Sequence, residues 1–365
     1  MRLLICAGGT GGGVYPALAV LQAIRANAEV LWIGGEGGME ANLVTRSGIP
    51  YQAIPAAGVH GVGLKTLPRN LWQLGRGVLA SRRILKQFKP DVLFFTGGYV
   101  AVPMALAGRK IPTLLYVPDI EPGLALRTLA RFADRIAITA EDSTTYFKPA
   151  KRTVLTGYPT RPELAKWTRS EARAALKLDD KSPVLLVFGG SKGARSINTA
   201  ILTALPDLLA QAQVVHITGE LDWPNVKAQA EQLTAAQAAR YHAYPYLHEQ
   251  IGAALAAADL AVSRAGASTL GEYPLFGLPA VLVPYPYAWR YQKVNADYLV
   301  SHGAAIQVED EKVSDNLLPA IQDLLHAPEK MAAMRSASLH LSHPDAAVRI
   351  GQRLLDLGSD EEKRP

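Results

Sequence analysis

The stretch "CAGGTGGGVYPALAV" at residues 6–20 joins a short apolar run to an Ala/Leu-rich segment through a turn that is almost entirely glycine. A second stretch, "VFGGSKGARSIN" at residues 187–198, repeats the order of apolar run, glycine turn and helical segment. Backbone N–H groups at the start of a helix point at an anion, and glycine lets that ligand approach closely. Both stretches therefore predict a strand, a turn and a helix that together hold a phosphate compound.

Apolar runs alternate with helical segments on both sides of these turns. In the first half the runs "RLLICA", "EVLWIGG", "DVLFFTGG", "TLLYVPD", "RIAIT" and "RTVLTG" are separated by segments such as residues 15–28 and 71–88. From Pro183 a second series of such runs begins. This alternation is typical of parallel sheets covered by helices on both faces. We predict an α/β protein of two doubly wound, Rossmann-like domains that face a central crevice, with ligands at the carboxyl ends of the strands.

The junction between the domains is predicted in the proline-containing segment 157–183. We expect a first domain over residues 1–161 and a second over residues 162–365. Packing of the last helices back onto the first domain stays open.

Composition narrows the class of protein. The chain has 365 residues, 49% of them hydrophobic, and a single cysteine. One cysteine excludes a disulfide framework and a cysteine metal cluster, and it favours a reducing, cytoplasmic setting. We expect neither a membrane-spanning segment nor a signal peptide, because the apolar runs are too short for either.

Positive charge is concentrated in the first half. Residues 1–161 carry a net charge of +10 and the remaining residues −4, and residues 41–90 hold eight basic and no acidic residues. Within the basic stretch 65–89, apolar residues recur at roughly helical spacing, namely Leu71, Leu74, Val78 and Leu85, with Trp72 nearby. A basic amphipathic helix is typical of binding to an anionic membrane surface, whereas a helix with one face in the core is the plainer interpretation. Nucleic acid is not expected, since no stacking aromatic pattern or known module accompanies the charge.

The first turn differs from two common nucleotide-binding motifs. The third glycine of a dinucleotide fingerprint would fall on Val14, and no Walker lysine follows the turn. Glu36 ends the second apolar run, where a dehydrogenase binds ribose, so an NAD-dependent enzyme stays a minor alternative. In the second half, Ser191 offers a hydroxyl to a diphosphate, and Glu272 offers a carboxylate to ribose hydroxyls.

Seven motifs occur in the order and spacing of one known family: "GGTGGxVYPALAV", "GMEANLVTRSGIPY", "KPDVLFFTGGYVAVP", "GYPTR", "GGSKGARSIN", "ADLAVSRAGASTLGE" and "GLPAVLVPYP". Through them the chain resembles the MurG family of GT-B glycosyltransferases almost to its end. That family transfers N-acetylglucosamine (GlcNAc) from UDP-GlcNAc to an undecaprenyl-diphosphate-linked muramoyl-peptide, which completes lipid II for peptidoglycan. The resemblance implies an inverting enzyme without cofactor or metal, bound peripherally to the cytoplasmic face of the plasma membrane.

The resemblance also implies which residues bind substrate. The lipid-linked acceptor is expected in the first domain, with its diphosphate over Thr10, Gly11 and Gly12. UDP-GlcNAc is expected in the second domain. Candidates to supply positive charge to the leaving UDP are Arg161, Arg264 and Lys192, with a surface cation as the equal alternative for each. The further donor contacts implied are Ser191 on a phosphate, Ala267, Ser268, Thr269, Leu270 and Gly271 near uracil and diphosphate, Glu272 on the ribose, and Gln292 near the sugar.

The chain departs from the family where sugar and acceptor are expected to meet. Gly13 occupies the position of the family histidine, and glycine has no group that can act as a base. The family's Glu-Gln-Asn is replaced in "YVPDIEPGLALR", and its glutamine pair survives only as Tyr291 and Gln292. We predict that Asp119 replaces the base, with Glu121 as the reserve. His60 is a further loop residue within reach of the crevice, although a surface role is the plainer one.

Two other functions stay open at this point. One is a related transferase with another lipid acceptor, such as a diacylglycerol. The other is a non-catalytic, UDP-sugar-binding protein of cell-envelope synthesis, because the family histidine is absent.

Overall fold

The computed structural model of the chain describes residues 1–8, 11–38, 40–57, 67–190, 193–287 and 291–359. The chain divides into two compact units, one of Met1–Arg161 with Pro344–Pro365 and one of Pro162–His343. Thr10, Ser191, Lys192 and His60, which the sequence singles out, lie outside the described residues.

The first unit is built on a parallel sheet. Its strands are β1 (Arg2–Cys6), β2 (Glu29–Gly35), β3 (Tyr51–Ile54), β4 (Val92–Phe95), β5 (Thr113–Val117), β6 (Arg135–Ile138) and β7 (Thr153–Leu155). They lie in the order β3-β2-β1-β4-β5-β6-β7, and each pair of neighbouring strands runs parallel. The helices that follow these strands are α1 (Gly11–Ile24), α2 (Glu40–Arg46), α3 (Leu67–Phe88), α4 (Ala101–Ala107) and α5 (Leu124–Leu129). Every residue of β4 and β5 is buried, as expected of strands covered on both faces.

The second unit repeats this architecture. Its strands are β8 (Val184–Phe188), β9 (Gln213–Ile217), β10 (Tyr241–Tyr244), β11 (Leu260–Ser263), β12 (Ala280–Leu282) and β13 (Ala305–Gln307). They form a parallel sheet in the order β10-β9-β8-β11-β12-β13. Its helices are α6 (Arg169–Ala175), α7 (Arg195–Thr203), α8 (Leu205–Gln211), α9 (Trp223–Ala230), α10 (Ala235–Ala238), α11 (Ile251–Ala257), α12 (Thr269–Phe276), α13 (Tyr291–Ser301), α14 (Val313–Leu325) and α15 (Pro328–His340).

The last helix, α16 (Ala346–Ser359), belongs to the first unit, where it packs against α1 and crosses β4 and β5. Gly351 permits this close packing, because a Cβ there would lie 2.5 Å from the side chain of Ile24. The chain therefore returns to its first unit after completing the second.

The two doubly wound sheets confirm the predicted fold class, and most predicted strands form. Strand β3 was missed, because its four residues lie between Pro50 and Pro55 at the edge of the sheet. Gln52 and Ala53 are exposed in this strand, so no continuous apolar run indicates it. Helix α1 begins at Gly11, before the predicted start at residue 15, so the glycines of the first turn are partly helical.

Candidate active site

The first unit has its ligand-binding edge where β1 meets β4. The strand order reverses between these neighbours, and doubly wound sheets bind ligands outside the carboxyl ends of strands at such a point. Gly8 follows β1, and Gly98 follows β4 with a φ of 86°. A Cβ at Gly98 would lie 2.6 Å from the carbonyl oxygen of Gly8. The two turns therefore pack backbone against backbone, which only glycine permits. Of the predicted acceptor contacts, Gly11 and Gly12 form the first residues of α1.

Gly13, at the position of the family histidine, is buried against Thr96. The Thr96 hydroxyl donates a hydrogen bond of 2.7 Å to the Gly13 carbonyl oxygen. A Cβ at residue 13 would lie 3.3 Å from both the carbonyl oxygen and the Oγ1 of Thr96. A side chain at this position must therefore displace Thr96.

A buried carboxylate, which the sequence analysis did not single out, lies behind the first turn. Glu40 is only 1% exposed, and its Oε1 accepts a hydrogen bond of 2.8 Å from the Gly35 N–H. A Cβ at Gly8 would lie 2.6 Å from this oxygen, so glycine at residue 8 leaves room for the carboxylate. Burial raises the pKa of the Cys6 thiol, and the nearby charge of Glu40 raises it further. Cys6 is consequently an unreactive core residue.

The segment after β5 carries both candidate bases. Glu121 is only 6% exposed, and its Oε1 lies 2.8 Å from Nη2 of Arg127 in α5. Asp119 is partly exposed. Burial raises the pKa of the Tyr116 phenol, and the charges of Tyr158 and Asp119 add to this increase. Of these two residues, Asp119 is the more exposed.

Hydrogen bonds fix the backbone that carries Asp119. The Thr139 hydroxyl, at the end of β6, lies within hydrogen-bond distance of the Val117 and Pro118 carbonyl oxygens at 3.1 and 2.9 Å. It is also 2.7 Å from the hydroxyl of Tyr116. These contacts hold the end of β5 rigidly at the same edge of the sheet as the glycine turns.

Arg161 of "GYPTR" lies next to the first helix. Its guanidinium carbon is 4.8 Å from the ring centroid of Tyr15, which follows Gly13 by two residues in α1. A cation over an aromatic face is attracted by the negative charge of that face. The contact holds this basic group near the start of α1.

In the second unit, the turn between β8 and α7 also depends on glycine. Gly190 and Gly193 have φ values of 87° and 77°, and a Cβ at Gly193 would collide with the carbonyl oxygen of Thr218. The turn therefore packs tightly on the segment that follows β9. Gly190 and Gly193 lie at the carboxyl end of β8, beside the point where the strand order reverses.

A buried hydrogen-bond network stabilises Thr218, on which the turn between β8 and α7 packs. His216 Nε2 lies 3.0 Å from Asn198 Oδ1, and His216 Nδ1 lies 2.8 Å from the Tyr241 hydroxyl. Asn198 donates through Nδ2 to the Thr218 carbonyl and to Asp222, so its Oδ1 faces the histidine and can only accept. Burial lowers the pKa of His216 to about 3, and the imidazole is neutral with its proton on Nε2.

Arg264 lies at the end of β11 but points away from solvent. Its side chain is 11% exposed, and Nη1 lies 2.6 Å from Oδ1 of Asp310. Nη2 donates a 2.9 Å hydrogen bond to the hydroxyl of Ser196 in α7. Its guanidinium is therefore already engaged by protein groups.

The predicted nucleoside segment begins α12. The side chains of Ala267, Thr269 and Leu270 are buried, and the residue Gly271 is buried with them. Ser268 and Glu272 are partly exposed. These two side chains can face a ligand directly, while the others can do so only through their backbone.

Helix α13 supports the same segment. Asn295, which is fully buried, donates a hydrogen bond of 3.2 Å to the carbonyl oxygen of Ala265. Gln292 accepts a hydrogen bond of 2.9 Å from the Tyr285 N–H through Oε1. The amide of Gln292 is thus fixed at one end by the loop after β12.

Helix α3 displays the basic stretch of the first unit. Trp72 is 70% exposed and Leu79 57%, and they alternate along one face with Arg76 and Arg83, which are also exposed. Ile84 lies on the opposite, buried face. Among the described residues, no helix is both long and apolar enough to cross a membrane. Nor do the described ranges contain a cluster of His, Cys, Asp and Glu side chains arranged for a metal ion.

The sequence analysis did not identify the residues that support the predicted contact residues. Asn198 lies inside the motif "GGSKGARSIN", and Asn295 follows Gln292 by three residues on α13. A polar residue on the buried face of each helix was the available signal. Asp310 had none, because a charged residue in "EDEK" is typical of a solvated turn.

Two units, each with a parallel sheet and a glycine turn at the reversal of strand order, define the class of two-domain, Rossmann-like proteins. The N-terminal domain of glycosyltransferase family 28 matches residues 3–138, and its C-terminal domain matches residues 184–350. The chain therefore belongs to glycosyltransferase family 28 and is a glycosyltransferase.

Within that family the chain belongs to the MurG group. It is 42% identical to a UDP-N-acetylglucosamine–N-acetylmuramyl-(pentapeptide) pyrophosphoryl-undecaprenol N-acetylglucosamine transferase of Roseiflexus sp. (strain RS-1), over 96% of this chain and 93% of that relative. A transferase of the same name from Desulforudis audaxviator (strain MP104C) is 40% identical over 98% of this chain and its own entire length, 100%. The crystal structure of Acinetobacter baumannii MurG superposes with a TM-score of 0.77 at 26% identity, covering 97% of this chain and 99% of that one. This assignment replaces the alternative of an NAD-dependent enzyme that rested on Glu36.

Proposed function

We propose that this protein transfers GlcNAc from UDP-GlcNAc to undecaprenyl-diphosphate-linked muramoyl-pentapeptide, with inversion at the sugar. The observation that carries the proposal is the 42% identity to a transferase of that name over 96% of the chain, which includes both sheets and both glycine turns. The departures at Gly13 and Asp119 concern how the acceptor is activated, and they leave the donor motifs intact.

The donor is assigned to the second unit. Glu272 is partly exposed at the start of α12, where its carboxylate can accept hydrogen bonds from two ribose hydroxyls. The turn after β8, with Ser191, receives the diphosphate, and Gln292 receives the sugar. Arg161 and Lys192 supply positive charge to the leaving UDP, which no metal ion needs to stabilise.

The acceptor is assigned to the first unit, with its diphosphate at the turn of Thr10, Gly11 and Gly12. Asp119 takes the proton of the acceptor hydroxyl while that oxygen bonds to the anomeric carbon of GlcNAc and the bond from this carbon to UDP breaks. Partial exposure and a rigid backbone favour Asp119 over Glu121, whose carboxylate is buried against Arg127.

We further propose that the enzyme works at the cytoplasmic face of the plasma membrane and is held there by α3. Its exposed face combines apolar Trp72 and Leu79 with Arg76 and Arg83. Apolar side chains bury into the lipid boundary, and each cation near an anionic leaflet contributes about 1 kcal/mol. A lipid-linked acceptor remains in the membrane, so an enzyme that uses it must work at that surface.

The function is tested by transfer of radiolabelled GlcNAc from UDP-GlcNAc to a short-chain muramoyl-pentapeptide diphosphate lipid. We expect labelled lipid product with this acceptor and none with diacylglycerol. Binding of UDP-GlcNAc without turnover on either lipid would instead support the non-catalytic alternative. Turnover on diacylglycerol alone would support the related transferase with another acceptor.

Membrane binding is tested separately by co-sedimentation with vesicles of phosphatidylglycerol and phosphatidylcholine. Trp72→Ala and Arg83→Gln are each expected to weaken binding. Val348→Ala is the matched control, since Val348 is 61% exposed on α16 of the same unit. Equal binding by all variants would contradict the role of α3.

A further inference from the structure

We infer that Arg264 is a positioning residue that braces the loops of the donor site, and that it does not contact the diphosphate. Its position at a strand end within the family motif made it a candidate for direct contact. The inference rests on the proposed function only for the identity of the ligand, a uridine diphosphate sugar.

Nη1 and Nη2 of Arg264 donate three hydrogen bonds to protein acceptors. Nη1 donates to Oδ1 of Asp310 at 2.6 Å and to the Val283 carbonyl oxygen at 3.1 Å. Nη2 donates to the Ser196 hydroxyl at 2.9 Å, and that hydroxyl itself donates to Oδ1 of Asp310 at 2.6 Å. Arg264, Ser196 and Asp310 thus form a closed triangle of hydrogen bonds.

The partners come from separate segments at the carboxyl edge of the sheet. Ser196 is the second residue of α7, directly after the glycine turn that follows β8. Val283 follows β12, and Asp310 lies beyond β13. Arg264 itself follows β11 and opens the segment that leads to Glu272. One side chain therefore ties together the ends of four strands.

The face of the guanidinium is also covered. The Tyr285 ring lies against it, with 5.1 Å from the guanidinium carbon to the ring centroid. The N–H of Tyr285 donates to Gln292, the residue assigned to the sugar. Arg264 consequently fixes the loop that holds Gln292 as well as the two loops that hold the nucleotide.

Charge supports the same conclusion. The side chains of Arg264 and Asp310 are 11% and 18% exposed, so the two charges largely neutralise each other within the unit. A cation already paired with a carboxylate exerts little net attraction on a nearby diphosphate.

The test compares the affinities of UDP-GlcNAc and uridine, measured as dissociation constants of the full chain for each compound. Asp310→Asn removes the negative charge that pairs with Arg264 and keeps the size of the side chain. We expect both ligands to bind this variant about tenfold more weakly. Direct contact of Arg264 with the diphosphate predicts the opposite, because loss of Asp310 would release the cation and tighten UDP-GlcNAc binding. Unchanged uridine binding with altered UDP-GlcNAc binding would therefore overturn the brace.

Two further variants keep the test decisive if Asp310→Asn unfolds. Ser196→Ala leaves the ion pair intact and removes only the link to α7, and a several-fold loss for both ligands is expected. Asp323→Asn, at an exposed carboxylate on α14 of the same unit, controls for the change in net charge. Affinities equal to wild type in Ser196→Ala would overturn the brace alone. Failure of the wild-type chain to bind UDP-GlcNAc would instead overturn the proposed function.

Discussion

The two strand-turn-helix segments share a backbone pattern but are held in place by different means. In the first unit, Gly8 packs on Gly98, and Gly13 packs on Thr96. In the second unit, the turn rests on a buried network of side chains centred on Asn198 and on the brace of Arg264. Close backbone packing thus shapes the first site, and hydrogen-bonded side chains shape the second.

Because of this difference, we expect substitutions to have different consequences in the two turns. The buried polar network of the second unit tolerates little change, since losing one partner leaves another buried and unsatisfied. The first turn depends mainly on the absence of side chains, so a glycine at residue 13 fits its packing. The reactive group is then expected on a neighbouring strand end, at Asp119.

The largest effect is expected for Asp119→Asn, which tests whether the first unit carries the base there. Loss of a general base lowers the rate by about 10²–10⁴-fold, so kcat should fall by that factor in the transfer assay. The KM for UDP-GlcNAc should change little, because Asp119 is proposed to act on the acceptor hydroxyl and not to bind the donor. Asp142→Asn, an exposed carboxylate of the same unit, is the control. A kcat within a few-fold of wild type would exclude Asp119 as the base.

The second prediction concerns the acid stability of the network in the second unit. The pKa of His216 is about 3 in the folded chain, below its ordinary value of about 6.5, so the unfolded state binds the additional proton between these values. The contribution of neutral His216 is therefore present above pH 6.5 and is lost as the pH falls towards 3. The free energy of unfolding should decrease by about 1.4 kcal/mol per pH unit from this group.

Urea unfolding of wild type and His216→Gln at pH 7, 6, 5 and 4 measures that contribution. The variant should be less stable at pH 7 and show a shallower decline towards acid. Parallel declines would mean that His216 is not held neutral by the fold.

Most of the fold could be predicted from the sequence, because buried parallel strands consist of continuous apolar runs. The edge strand β3 was not predicted, because a strand at the edge of a sheet needs no continuous apolar run. The glycine turns were recognisable for a related reason, because glycine is required there by local backbone geometry. The roles of Glu40 and Asp310 were not predictable, since their partners Gly35 and Arg264 are brought to them only by the tertiary fold.

The third prediction sharpens the contrast at Gly13. Alanine in a helix is ordinarily better than glycine by about 0.5–1 kcal/mol, and this gain is expected for Gly75→Ala, where nothing lies within 4 Å of the new Cβ. In Gly13→Ala the new Cβ would lie 3.3 Å from Thr96. This overpacking should lower the free energy of unfolding by about 1–2 kcal/mol. Urea unfolding of the two variants gives the comparison directly. Equal stabilisation by both would show that Thr96 yields freely, and Gly13→His would then become a fair test of the family histidine.

The smallest effect is expected at the contact between Tyr15 and Arg161. A partly exposed cation-π contact contributes about 0.5–1 kcal/mol, which corresponds to roughly two- to fivefold in an equilibrium constant. If this contact orients Arg161 toward the UDP diphosphate, Tyr15→Leu should raise the KM for UDP-GlcNAc by that factor and leave kcat nearly unchanged. Tyr15→Phe keeps the ring and should behave as wild type. A rise in KM in Tyr15→Phe as well would assign the effect to the hydroxyl, and the first unit would then contribute a polar side chain in addition to backbone packing.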